Sequence, residues 1–146
     1  MAEIMEEDPV DFATLRNELE RDEGRRLKVY VDSVGKRSIG IGRNLDDVGI
    51  SEEEANFLLD NDIERAIKEL NRFMPWWVTL THARRHAMIN LMFNMGPGRL
   101  LGFKKALTAL KDGDYAKAAD EFLDSKWAGQ VGERAHRIAN MIRGEV

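Results

Sequence analysis

A chain of 146 residues makes one ordinary domain, with enough core to bury roughly two-thirds of its unfolded surface. Hydrophobic residues make up 43% and charged residues 33%, which excludes a disordered chain, and the absence of cysteine excludes disulfides and thiolate chemistry. The net charge of −4 is unevenly spread: up to Met74 there are 11 basic and 19 acidic residues, from Pro75 onward 11 basic and 7 acidic, so the second half is the one suited to face anions.

Residues 1–11 read as a flexible acidic extension, with Pro9 ahead of the first helical pattern. Phe12, Leu15 and Leu19 recur at helical spacing and predict a helix up to Glu23, where Gly24 is a natural stop. Alternation then predicts strands over about 28–42, with turn residues Ser33 and Gly35 near the middle, hence a small antiparallel sheet. Arg43 to Gly49 is a polar link. Ser51 and Glu54 form a capping box, and Leu59, Ile63, Ala66, Ile67 and Leu70 carry the stripe of a long helix over about 51–72. Beyond Thr81 the pattern is helical throughout. Ala87, Ile89, Leu91, Met92 and Met95 predict a buried central helix ended by Gly96-Pro97-Gly98, and shorter helices follow at about 103–111, 114–124 and 133–143, separated by Asp112-Gly113 and by Gly129 to Gly132. The class is α+β: a small sheet-bearing lobe at about 12–60 and a larger helical lobe at 75–146, joined by the long helix, with a cleft expected between them.

Glu23 and Asp32 flank the change from helix to strand, and Ser38-Ile39-Gly40-Ile41-Gly42 follows. The C-terminal end of a helix dipole opposes a carboxylate, and partial burial would oppose its ionisation further, so Glu23 is expected to hold its proton unusually well. Asp32 closes the apolar run Val29-Tyr30-Val31 at the lip of a turn, where water and polar groups keep it ionised. A protonated and an ionised carboxyl in contrasting surroundings is the arrangement that cuts glycosidic bonds. The bland alternatives are a surface carboxylate paired with Arg26 or Lys28 for Glu23, and a turn residue bonding its own backbone for Asp32.

In this region the chain resembles the phage-type lysozymes (endolysins, muramidases) of the T-even phage kind. Their motif is a Glu, eight residues, an Asp, five residues, then Thr or Ser; here it reads Glu23, Asp32, Ser38. Arg-Asp-Glu-Gly-Arg-Arg-Leu-Lys-Val-Tyr-Val-Asp, Ser-Ile-Gly-Ile-Gly and Ala-Met-Ile-Asn-Leu-Met-Phe-Asn-Met-Gly from Ala87 to Gly96 are similar to the family too. So are Gly102-Phe103, Ser125-Lys126-Trp127, Arg134 and Arg137. The resemblance runs from about residue 12 to the C-terminus and implies a two-lobed lysozyme-like fold forming a single catalytic domain over 12–146. It implies a monomeric glycoside hydrolase acting on a peptidoglycan glycan strand, without metal or other cofactor, for host cell lysis. Glu23 would be the general acid, Asp32 would stabilise positive charge on the sugar, and Ser38 would help to place the attacking water. Leu45, Phe93 and Asn94 form the expected substrate-binding set, Phe93 lining the cleft.

Several features depart from the family pattern. The family's best-known members are basic overall, whereas this chain is acidic. Arg43 stands where those relatives carry a His paired with an Asp on the long helix; Asp62 matches that Asp, so an Arg43–Asp62 salt bridge near the site is expected. The link between Arg43 and Ile50 is short and lacks a helix of those relatives. Ala106 and Glu121 replace polar sugar-contacting groups, so no contact is carried over to them. Trp76 and Trp77 read as packing residues. His82 and His86 lie four apart without an intervening Glu and beside Arg84 and Arg85, so no metal is expected there. No nucleic-acid partner is expected either, since no basic patch interleaves with aromatics. With no apolar run near the ~20 residues that span a bilayer and an acidic start, neither a signal peptide nor a transmembrane segment is expected. The chain is then expected to be made in the host cytoplasm and to reach peptidoglycan in the periplasm through a holin. The rival reading is a non-catalytic wall-binding or virion-structural domain that kept the fold.

Overall fold

The computed structural model describes residues 10–144, and nearly all of the proposed extension at 1–11 lies outside them. The described residues contain seven α-helices and one three-stranded antiparallel sheet, an α+β architecture. They divide into two compact units, the first up to Ala55 and the second from Asn56 onward.

The first unit opens with α1, Phe12–Glu23. Asp11 caps it, accepting from Thr14 N at 3.2 Å and from Thr14 Oγ1 at 2.7 Å, so an orphan amide of the first turn is satisfied. Gly24, at φ 77°, ends the helix by donating its N–H to Glu20 O. The sheet follows in chain order: β1 Arg26–Val31, β2 Arg37–Gly40 and β3 Arg43–Asn44. Tyr30 pairs with Ser38 and Ser38 with Asn44, which puts these three side chains in one row on one face. The expected hairpin is present, but it starts two residues earlier than the alternation suggests and gains a third strand of two residues.

Helix α2, Glu52–Phe73, starts at the capping box read from the sequence. Ser51 Oγ accepts from Glu54 N at 3.1 Å and Glu54 Oε1 accepts from Ser51 N at 2.9 Å. The division between the two units falls within the first turns of this helix.

In the second unit a 3-10 turn, Pro75–Thr79, leads to α3, His82–Leu100. The helical path of α3 breaks at Gly96, at φ 76° and ψ 170°, where the sequence places its stop, and a last turn restarts at Pro97. Then come α4 Lys104–Lys111, α5 Tyr115–Leu123, α6 Lys126–Val131 and α7 Glu133–Arg143. Helix α6 corrects the expectation that Gly129 to Gly132 is a separator. Ser125 Oγ accepts from Ala128 N at 3.2 Å, and this cap starts a helix that runs through Gly129 and stops at Gly132. Every buried apolar residue of the described structure belongs to the second unit, including Leu70, Met88, Leu91, Phe122, Trp127, Ile138 and Ile142. Trp127 meets Phe122 and Phe103 edge-on, and its indole N–H donates to Asn94 Oδ1 at 2.7 Å. Trp77 is buried with its indole N–H on Asn71 Oδ1, which makes it a packing residue.

Arg84 closes the C-terminal end of α7. Its Nε donates to Ile142 O at 2.6 Å, Nη2 to Arg143 O at 3.3 Å, and the guanidinium lies 3.5 Å from the centre of the Tyr115 ring. A cation on the last carbonyls of a helix and over an aromatic face combines two favourable terms. Arg84→Ala should therefore cost about 2 kcal/mol, seen as a fall of roughly 4–8 °C in Tm by calorimetry; an unchanged Tm would show that the arginine holds nothing.

Candidate active site

The three candidate reactive groups all lie in the first unit. Glu23 is the last residue of α1, and its carboxylate rests against the turn between β2 and β3. A Cβ added to Gly42 would meet Glu23 Oε2 at 2.8 Å and Cδ at 3.0 Å, and Gly42 has a φ of 71°. Gly42 is therefore the residue that leaves room for the Glu23 side chain, for steric and backbone reasons together. Glu23 also lines a hollow of about 440 Å³ with Arg16, Asn17, Glu20, Arg25 and Gly42.

Partial burial of Glu23, expected from the sequence, is not found: the residue is exposed. The rest of α1 is no better covered, for the helix buries none of its residues. The alternative pairing with Arg26 or Lys28 is not found either. Arg25 pairs with Glu20, and Arg26 lies 4.7 Å over the Tyr30 ring. Glu23 forms no ion pair among the described residues.

Asp32 sits just past β1 and organises the hairpin turn. Its Oδ1 accepts from Val34 N at 3.0 Å and from Lys36 N at 2.8 Å, while its own N–H donates to Lys36 O at 2.8 Å. The turn thus occupies one carboxylate oxygen and fixes the group's orientation. The second oxygen, Oδ2, accepts from no described residue and remains available.

Ser38, at the centre of the sheet, is 2% exposed and is the buried polar residue of the described structure. Its hydroxyl makes no hydrogen bond among the described residues, yet no buried side-chain polar atom lacks a partner. The little surface that Ser38 shows must therefore include its Oγ. A hydroxyl in that position can bond one water molecule.

The expected Arg43–Asp62 bridge is replaced by two others. Arg43 Nη1 donates to Glu54 Oε1 at 2.7 Å and to Gly49 O at 3.1 Å, while Asp62 pairs with Arg65 one turn along α2 at 2.8 Å. The capping box is the reason. It fixes Glu54 beside Ser51, directly after the short link, where the long side chain of Arg43 reaches it. The hydrogen bond from Arg43, aided by that from Ser51 N, lowers the Glu54 pKa from its ordinary value of 4.5 to about 2. A carboxyl depressed on folding contributes stability above its unfolded pKa and loses it as pH falls through its folded one. Glu54→Gln should thus lower Tm at pH 6–7, with the gap to the unsubstituted protein closing between about pH 4.5 and 2; equal melting at pH 6 would contradict this coupling.

The expected substrate-binding residues have different surroundings. Leu45 is half-buried, and its N–H donates to Arg37 O at 2.8 Å. Phe93, on α3 of the second unit, is 44% exposed, so its ring is no core element. Asn94 is exposed, but its carbonyl oxygen is committed to Trp127, which leaves its amide nitrogen for a ligand. His82 and His86 have rings 5.5 Å apart, and among the described residues no group of three or more His, Cys, Asp or Glu could hold a metal. No helix of the described residues is long and apolar enough to cross a membrane.

The model of the Phage lysozyme family matches residues 20–141, a stretch that includes Glu23, Asp32 and Ser38. The chain belongs to the phage lysozyme family. It is 35% identical to the endolysin of Salmonella phage P22 over 77% of its own length and 80% of that protein. It is 26% identical to the Probable T4-type lysozyme 1 of Dictyostelium discoideum, over 89% and 94%. It is also 34% identical to the pre-baseplate central spike protein Gp5 of Enterobacteria phage T4, over 85% of this chain but 26% of the spike protein, so it spans about a quarter of that relative's length. The α+β architecture is that of the family.

Sequence reasoning singled out Glu23, Asp32 and Ser38 as candidates but gave Gly42 no role beside Glu23. The signal was present in the glycine pair of Ser-Ile-Gly-Ile-Gly; what it lacked was the helix end packed against the second glycine.

Proposed function

We propose that this family member is a lysozyme that hydrolyses the β-1,4 bond between N-acetylmuramic acid and N-acetylglucosamine in bacterial peptidoglycan, with inversion and with residues 12–146 acting as one catalytic domain. The observation that supports the reading is that Glu23, Asp32 and Ser38 fall inside the stretch the family model matches and occur together in one compact unit. In this mechanism Glu23 donates a proton to the leaving oxygen. Asp32, oriented through Oδ1, presents Oδ2 to the positive charge developing on the sugar and to the attacking water. Ser38 Oγ holds that water from the other side. Inversion needs space for a water between the two carboxyl groups, which corresponds to a separation of about 6.5–9.5 Å. No step requires a cofactor or metal. As in its endolysin relative by name, the enzyme would act in host cell lysis, reaching the wall through a holin.

The reading is tested on purified sacculi or on outer-membrane-permeabilised Gram-negative cells. The protein should clear the suspension without added metal, and fragments should end in reducing muramic acid. An anhydro sugar would instead identify a transglycosylase.

A second reading is favoured by the likeness to the spike protein: a domain borne on a virion component, with or without turnover. It predicts stable association with phage particles. Failure to clear sacculi together with cosedimentation on virions would favour it over the free enzyme.

A further inference from the structure

We propose that the Asp46 carboxylate completes the third strand of the sheet and so positions Asp32 and Ser38 for the reaction; this rests on the lysozyme reading above. Strand β3 stops at Asn44, one residue short of what β2 needs. In an antiparallel ladder a hydrogen-bonded pair exchanges two bonds. Arg37 has one of them from the main chain, since Leu45 N donates to Arg37 O at 2.8 Å. The return bond goes elsewhere: Arg37 N donates to Asp46 Oδ2 at 2.7 Å. A side-chain carboxylate thus stands in for the carbonyl that a longer β3 would have supplied.

The same carboxylate takes the guanidinium of Arg37 through Oδ1, from Nε at 3.0 Å and Nη2 at 2.7 Å. The neighbouring residue does a similar task. Asp47 Oδ1 accepts from Lys36 Nζ at 3.1 Å, Asp47 Oδ2 from Asn44 Nδ2 at 3.0 Å, and Asp47 N donates back to Asn44 Oδ1. Two consecutive acids of one short loop therefore grip two consecutive residues of β2 and its turn. Lys36 is the residue whose main-chain N–H holds Asp32 Oδ1, and Arg37 directly precedes Ser38. Whatever fixes Lys36 and Arg37 fixes the distance between the two groups that share the water. The Arg37 guanidinium holds the Asp46 carboxyl below its usual range, so this clamp stays ionised where ordinary carboxyls take up protons. The loop lies in the link between Arg43 and Ile50.

If Asp46 acts on the main chain, its loss and the loss of the Arg37 side chain have different consequences. Arg37→Ala keeps the N–H that Asp46 Oδ2 accepts, so its kcat on solubilised glycan should stay within about threefold of the unsubstituted enzyme, whereas Asp46→Ala should lower kcat about tenfold with KM within about twofold. Amide exchange gives a readout that needs no turnover: the amide of residue 37 should remain protected in Arg37→Ala and exchange at least about tenfold faster in Asp46→Ala. Should Asp46→Ala fail to fold by circular dichroism, Asp46→Asn, which keeps an acceptor but no charge, takes its place and should lie between the two. Equal losses in kcat and in protection for Asp46→Ala and Arg37→Ala would reduce the clamp to an ordinary ion pair and overturn the proposal, as would a fully active Asp46→Ala. An unsubstituted enzyme that releases no fragments would defeat the lysozyme reading itself, a distinct outcome from an active enzyme indifferent to Asp46.

Discussion

Glu23→Gln is expected to fold normally and to lose turnover of peptidoglycan by about 10²–10⁴-fold, the usual contribution of a positioned general acid. The amide is nearly isosteric and fits against Gly42 as the carboxylate does, but it has no proton to give to the leaving oxygen. Three facts make the substitution clean. Glu23 forms no ion pair among the described residues, it is exposed, and α1 ends on the Gly24–Glu20 bond rather than on the Glu23 side chain. Stability should therefore stay within about 0.5 kcal/mol, as for an ordinary surface substitution. The measurement is the rate of sacculus clearing beside a thermal melt; full clearing by Glu23→Gln would remove Glu23 from the reaction.

Gly42→Ala should damage both stability and activity. A residue with Cβ at φ 71° is strained by about 1–2 kcal/mol. The new methyl would also stand 2.8 Å from Glu23 Oε2, closer than any real contact, so the carboxylate must move. A shift of about 1 Å in a reacting group can cost on the order of 10²-fold, so a comparable fall in kcat is expected with a smaller change in KM. Gly40→Ala separates the two effects. Gly40 has a φ of 70° but nothing within 4 Å of its notional Cβ, so it should lose stability and keep most of its turnover. If Gly40→Ala and Gly42→Ala lose kcat equally, the carboxylate seat is unimportant and only backbone strain is at work.

Local signals in the sequence were reliable where a few neighbouring residues decide the outcome. The Ser51–Glu54 box forms both of its bonds, Gly24 and Gly96 stop their helices, and α7 covers the expected 133–143. Helix α6 was hidden because Gly129 within it and Gly132 just beyond it read together as a break, although Ser125 at its cap was a visible cue. Strand β3 was hidden for a different reason: with two residues it has no periodicity, and a side chain from the loop completes its pairing. Contacts across sequence were harder still. The Arg43–Asp62 expectation came from resemblance; Arg43 pairs with Glu54 instead, because the capping box places Glu54 within its reach. The exposure of Glu23 depends on what α1 packs against, which no residue pattern around it states. Gly42 earns its place by a contact with a residue 19 positions earlier, and Asp46 by a main-chain bond nine positions back.

The most direct test of the account is the anomeric form of freshly released product, followed by proton NMR during digestion of purified glycan strands. Attack by a water held between Asp32 and Ser38, opposite the proton donor Glu23, predicts that reducing muramic acid appears first as the α-anomer and then equilibrates. First appearance of the β-anomer, or of an anhydro sugar with no reducing end, would contradict it.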